Sequence, residues 1–247
     1  MYSRGNHRLL TALVIAASIF LFTGASFASS EEHRVAEQLG RMLIEQFQPE
    51  ALDLTISNGG SFVYGEATGA RIEGMRVDKI IVEAMLKAVP PEISLEKKYE
   101  LADMIYYSKG TVVLLEKDVN HYFVSSFDDV KGFTKLKCDF SPNGFTASGT
   151  FTAKFIITLS VNLKATGVMA LHRDGIYLEN TKFFISGVKQ PDALANQIVK
   201  EINPLLEFKE DIPFPVSIKT LKMTDDRIVA TGGPKRSFEG ENWRYRK

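Results

Sequence analysis

Phe145-Thr-Ala-Ser-Gly-Thr-Phe-Thr-Ala-Lys-Phe-Ile-Ile-Thr-Leu-Ser-Val-Asn-Leu-Lys-Ala-Thr-Gly167 alternates apolar or small residues at odd positions with polar ones at even positions, Ile156 being the exception. Successive side chains of a strand point to opposite faces, so the run predicts a sheet with one oily and one wet face. It is too long for a single ordinary strand, which usually has about 5–6 residues. A tall curved sheet or a barrel wall accommodates it. What the oily face covers, protein or something bound, is the functional question.

Flanking residues extend the pattern into a meander, with strands expected near 133–140, 144–153, 155–171 and 176–186. Ser141-Pro142-Asn143-Gly144 and Arg173-Asp174-Gly175 are strong turn sequences between them. Upstream, Leu52, Leu54 and Ile56 alternate as a short strand that ends at Asn58-Gly59-Gly60. Two strands, Phe62 to Ile72 and Met75 to Ala88, meet near Gly74, and Ile80, Val82, Ala84 and Leu86 share one face of the second. Leu101 to Tyr107 and Thr111 to Leu115 read as a hairpin turning at Lys109-Gly110. A last hairpin places Val216, Ile218 and Leu221 before Asp225-Asp226, and Ile228 and Val229 after it.

Three segments change to the helical period. Val35, Leu39, Met42, Leu43 and Phe47 mark an amphipathic helix over 31–48, with a capping box at Ser29 and Glu32 and a stop at Pro49. Val119, Tyr122, Phe123 and Phe127 put one helix face on 116–127. Leu194, Ile198, Ile202 and Leu205 give a stripe over 191–206, where Pro191 suits a first turn and Pro204 kinks or ends the helix. Many antiparallel strands with three helices make an α+β architecture. The stripes, and the aromatic cluster Tyr106, Tyr107, Tyr122, Phe123 and Phe127, read first as ordinary core packing.

The N-terminus supplies an address. Arg4 and Arg8 precede an apolar stretch from Leu9 to Phe22, and small residues follow at Gly24, Ala25, Ser26 and Ala28. This is the pattern of a secretory signal peptide over 1–28, cleaved after Ala28, which places the protein in the periplasm or cell envelope. The alternative is an uncleaved anchor, against which the apolar stretch is shorter than the roughly 20 residues of a spanning helix. Losing Arg4 and Arg8 from the 30 basic side chains and none of the 30 acidic ones leaves 28 against 30, a mildly acidic domain over 29–233. That balance argues against a nucleic-acid partner. The tail 234–247 carries Lys235, Arg236, Arg244, Arg246 and Lys247 against Glu239 and Glu241. It is expected to be flexible and solvated, with weak contact to anionic lipid head groups as its alternative role.

Catalytic chemistry is not visible. His33, His121 and His172 stand alone, without metal-ligand spacing, and no nucleophile elbow, P-loop or dinucleotide fingerprint occurs. Asp128-Asp129 and Asp225-Asp226 fall at turns. The single cysteine, Cys138, is expected on a strand as a buried, inert thiol. We therefore expect a non-enzymatic protein with no cofactor.

The order of these segments carries a resemblance. An exported helix, Gly69-Ala-Arg-Ile-Glu-Gly-Met-Arg-Val-Asp-Lys-Ile-Ile-Val-Glu-Ala84, then Leu115-Glu-Lys-Asp-Val-Asn-His-Tyr-Phe123, the meander, and Ile212-Pro-Phe-Pro-Val-Ser-Ile218 resemble the LmeA family of envelope phospholipid-binding proteins. That family is similar in fold to tubular lipid-binding, TULIP-like, domains. The likeness spans about 32 to 233 and rests on order and pattern, with no signature site. It implies a curled, barrel-like antiparallel sheet wrapped on long amphipathic helices, around an apolar cavity for the acyl chains of phospholipid or another lipid. Bulky Phe mixed with Ala and Gly on the odd face of 145–167 leaves such a wall uneven. On this reading Phe151, Phe155, Ile157, Leu159, Val161 and Leu163 form one cavity wall, with Leu194, Ile198 and Ile202 opposite. Rival readings are an envelope assembly or accessory protein with a filled core, an outer-membrane barrel, and a lipid hydrolase. The amphipathic helices speak against the barrel and the missing nucleophile–base pair against the hydrolase.

Overall fold

A computed structural model describes residues 31–72, 74–127, 133–154, 158–204, 206–207, 216–236 and 239–247. Helix α1 covers 31–47. It is followed by β1 (Ala51–Ser57), β2 (Phe62–Ile72), β3 (Met75–Leu86), α2 (Lys98–Met104), β4 (Ile105–Leu115) and α3 (Glu116–Phe127). The meander is β5 (Phe133–Ser141), β6 (Gly144–Lys154), β7 (Thr158–Leu171) and β8 (Gly175–Ile185). Then come β9 (Val188–Lys189), α4 (Asp192–Ile202), β10 (Leu206–Glu207), β11 (Thr220–Met223), β12 (Arg227–Thr231) and β13 (Glu241–Arg246). The architecture is α+β, with antiparallel pairing between all named strands.

Among the described residues two sheets form. The first runs β11-β12-β4-β3-β2-β1-β13 and the second β10-β8-β7-β6-β5, with β9 on β8. The run that decided the fold class is the β6–β7 hairpin of the second sheet. Its odd residues face one another across the pair, Phe145 opposite Gly167, Gly149 opposite Leu163 and Phe151 opposite Val161. Both sheets are open paths with two edges, so neither closes into the curled, barrel-like wrap that the resemblance implies.

Alternation assigns the faces of the first sheet. Leu52, Leu54 and Ile56 of β1 stand beside Ala67, Gly65 and Val63 of β2, and these beside Ile80, Val82 and Ala84 of β3. Helix α1 lies on this inner face. Val35 and Ala36 are fully buried there, and Leu39 and Met42 join them in one core with Leu52, Leu54 and Ile56. Glu32 accepts a hydrogen bond from the Gly59 N–H (2.9 Å) and ties the start of α1 to the β1–β2 turn. That turn needs three successive left-handed residues, Asn58, Gly59 and Gly60, which explains its Asn-Gly-Gly composition. A second core joins the two sheets around α3, from Val119, Cys138, Phe140, Phe145 and Ile228.

Three expectations are corrected. The segment 101–115 is not a hairpin turning at Lys109-Gly110: Lys98–Met104 is helix α2, and β4 runs unbroken from Ile105 to Leu115. Gly110 serves close packing instead of a turn, since a Cβ there would stand 2.6 Å from Val216 Cγ1. The helix expected over 191–206 ends at Ile202. Asn203 stops it by pairing with Leu178 of β8, whose N–H donates to Oδ1 (2.8 Å) and whose carbonyl accepts from Nδ2 (2.9 Å).

The third correction concerns the C-terminus. Residues 241–246 of the expected flexible tail form β13, which pairs with β1 from Ala51 to Ile56, Leu52 with Tyr245 and Leu54 with Trp243. The tail could not be read as a strand because β13 interleaves charges with its two aromatics. Its partners lie some 190 residues away, and tertiary context overrides local composition. Gly40 of α1 makes the contact close: a Cβ there would meet the Trp243 ring at 2.6 Å, so the indole lies directly on the helix backbone.

Since β12 and β13 lie at opposite sides of the first sheet, the chain between them must cross it. Gly232 N–H donates to the Gly110 carbonyl (2.6 Å) and Lys235 N–H to Glu83 Oε2 (2.5 Å). Glu83 projects from the outer face of β3 and is 4% exposed. It also accepts from Lys109 Nζ and Tyr107 Oη, both at 3.1 Å. Burial pushes the Glu83 carboxyl upward, but the Lys235 N–H, Lys109 and Tyr107 outweigh it and hold it below its ordinary value. A depressed carboxyl stabilises the fold fully above the unfolded value of 4.5 and loses that contribution as pH falls through the folded one. Urea melts taken downward in pH should therefore show a steeper acid loss for the native chain than for Glu83→Gln. Parallel losses would mean that this clasp does not carry the acid sensitivity.

Candidate functional site

The inner face of the first sheet is not evenly covered. On β1, beneath α1, Leu52, Leu54 and Ile56 are at most 2% exposed, whereas Ile80 and Val82 on the more central β3 are only half-buried. Residues Trp243, Leu54, Gly65, Val82 and Gly110 form one row across β13, β1, β2, β3 and β4. Two of the five have no side chain; Val216 packs on Gly110, and the sheet dips at Gly65.

The dip is the floor of an apolar trough. Val35, Leu39, Leu43 and Phe47 of α1 form one wall, while Ala67, Ile80, Val82 and Val112 continue the floor. Leu86, Ile93, Leu101 and Ile105 close the end near α2, and Phe47, Pro49 and Ile72 mark the other. The trough holds about 100 Å³ of free space and, measured out to its open side, about 1080 Å³. Among the described lining residues Thr111 has the one polar side chain, and its hydroxyl is hydrogen-bonded to that of Thr231 (2.5 Å). A void lined in this way offers water almost no hydrogen-bond partner.

Charges gather at the Phe47–Pro49–Ile72 end. Continuing along the inner face past Ala67 and Ile80, alternation brings Gly69 and Asp78, then Arg71 opposite Arg76. Arg76 Nε and Nη2 donate to Glu50 (2.9 and 3.0 Å), and Nη1 donates to Asp118 of α3 (2.8 Å). Glu50 lies over Gly69, whose backbone is left-handed.

The sequence-predicted cavity wall lies elsewhere. Phe151 is on β6, Leu159, Val161 and Leu163 are on β7, and Leu194, Ile198 and Ile202 are on α4, which packs against β8. Val161 and Leu163 are half-buried and stand outside the trough. Phe155 and Ile157 lie outside the described residues, as do the side chains of Phe151, Leu159, Leu194, Ile198 and Ile202. The trough residues were legible as elements: the α1 stripe and the shared face of Ile80, Val82, Ala84 and Leu86 are plain in the sequence. Their meeting was not, because it depends on which helix covers which sheet. The one available signal was Gly65, inside a strand pattern where a bulkier residue packs better.

Cys138 is 4% exposed, and burial, with Glu116 and Asp139 adding to it, pushes its thiol up to about 12. It remains neutral at physiological pH and is no nucleophile. Among the described residues no group of three or more His, Cys, Asp or Glu side chains is placed to hold a metal, and no helix is long and apolar enough to cross a membrane. Comparison with family models, with curated proteins and with solved structures gave no match.

Proposed function

We propose that this chain is an exported, non-enzymatic cell-envelope protein that holds an acyl chain of phospholipid or another lipid in the trough, for transfer or sensing. The observation that carries the reading is the uncovered apolar strip at the middle of a sheet, over Gly65 and Val82 and bounded by Val216 on Gly110. Each methylene buried from water gains about 0.8 kcal/mol. A lipid leaving a bilayer already has that burial, so exchange with an apolar trough is close to thermoneutral, as a carrier requires. From Val63 to Ala67 the floor extends about 14 Å at the usual rise of a strand, enough for part of one chain.

The remaining expectations enter here as parts of the same proposal. Residues 1–28, outside the described ones, act as a cleaved signal peptide. Lys235 and Arg236, exposed on the crossing segment, offer a peripheral contact to an anionic membrane.

Native mass spectrometry and solvent extraction of the purified protein test the proposal. Lipid should be recovered from the native chain, and Val82→Asp should lower loading by about tenfold or more, because a carboxylate in the floor must be desolvated by the chain lying on it. A native protein without bound or transferable lipid, or a crystal structure whose own side chains fill the trough, would leave the accessory-protein reading standing.

A further inference from the structure

We propose that the charged end of the trough is an anion site, in which Arg71 and Lys247 bind the phosphate or carboxylate head of a single-chain or double-chain amphiphile whose tail lies over Val82. The inference rests on the lipid reading and adds the class of head group and the residues that select it.

The geometry is set by the strands themselves. Alternation along β2 and β3 carries the inner face from Gly65 and Val82, through Ala67 and Ile80, to Arg71 opposite Arg76. Oily floor and charged row are thus consecutive parts of one surface, about two rows apart. Like charges directly opposite each other on neighbouring strands are destabilising, and the pair is resolved unequally. Arg76 is one-quarter exposed and gives three hydrogen bonds to Glu50 and Asp118, with Asp78 at 3.5 Å. Arg71 is exposed and makes no ion pair with a described residue. Lys247 is anchored beside the same carboxylate by its backbone, N–H to the Glu50 carbonyl at 2.9 Å. The Arg76 hydrogen bonds, against burial, and then the fields of Arg76, Arg71 and Lys247, keep the Glu50 carboxyl below its ordinary value. The acids at this end are therefore occupied by Arg76, and the donors left over belong to Arg71 and Lys247. A guanidinium with free edges binds phosphate or carboxylate oxygens in a fork, and hydrogen bonds to charged groups are the stronger kind.

Displacement of the apolar fluorophore N-phenylnaphthylamine from the full chain tests this, with decyl phosphate, decanol and inorganic phosphate as competitors. Decyl phosphate should compete about tenfold better than decanol, the worth of one or two charge-assisted hydrogen bonds at a half-exposed site. Arg71→Gln with Lys247→Gln should bring the two within about twofold while leaving decanol unchanged. Lys222→Gln, which removes an exposed charge on β11, should leave the preference intact. Equal competition by both amphiphiles in the native chain, or a preference that survives the double substitution, overturns the inference and spares the lipid reading. Competition by inorganic phosphate as strong as that by decyl phosphate also overturns it, since the head would then bind without its tail. If neither amphiphile displaces the fluorophore, the lipid reading itself falls.

Discussion

Deletion of residues 240–247 should abolish cooperative folding. The cut removes eight residues of tail by composition, but by structure it removes the strand that pairs with β1 from Ala51 to Ile56. Trp243 and Tyr245 are half-buried against the core formed by α1 and β1, and truncating them costs part of the about 3–5 kcal/mol of a fully buried aromatic. Lost with them are the Arg246 fork on Asp53 (2.8 and 2.9 Å) and the Lys247 tie to Glu50. The aromatics, the ladder of β13 and these ties together approach the about 5–15 kcal/mol that holds a typical domain together. Thermal unfolding followed by far-ultraviolet circular dichroism reads the result. A truncated chain that melts at the native temperature would show that β13 is an ornament on a sheet already complete without it.

Valine at either of two glycines should have opposite consequences. At Gly40 a Cβ would stand 2.6–2.9 Å from three atoms of the Trp243 ring, and that ring is pinned between α1 and β13. Gly40→Val should cost about 3 kcal/mol, at the upper end of ordinary overpacking, despite the better helix propensity of the new residue. At Gly65 the nearest atom to a new Cβ is Leu54 Cδ2 at 3.0 Å, the mobile end of a side chain, and the remaining space is the trough. Gly65→Val should change stability by no more than about 1 kcal/mol, the span of strand propensities, while filling the dip and lowering lipid loading severalfold. Urea unfolding and lipid extraction on the same two proteins check both halves. Comparable loss of stability at both sites would mean that Gly65 sits in closed core and that the trough is not open to a ligand.

The two glycines also show where local reading stops. Both look alike in sequence, small residues within an otherwise regular pattern. One admits an indole from 203 residues further along the chain, and the other only the tip of the neighbouring Leu54, the rest of its space being the trough. Gly110 makes the same point, since a Lys-Gly pair that reads as a turn lies inside β4 and makes room for Val216.

The sequence by itself determined the periodic elements. Alternation located the meander strands to within a few residues, and the helical stripe located α1, because period is a property of neighbouring residues. It also determined that Cys138 would be buried, through the apolar company on its own strand. Only the tertiary structure decided which faces meet. It placed α1 on the oily face of the first sheet, beside an open trough floored by Gly65 and Val82, and set the helix at 192–202 against β8 of the second. It turned a basic tail into an edge strand through pairing with β1. The physical reason is that amphipathic faces state only that they must be covered. What covers them is settled by the total area buried and the close contacts that glycines permit, and those terms join residues too distant in the chain for any local pattern to register.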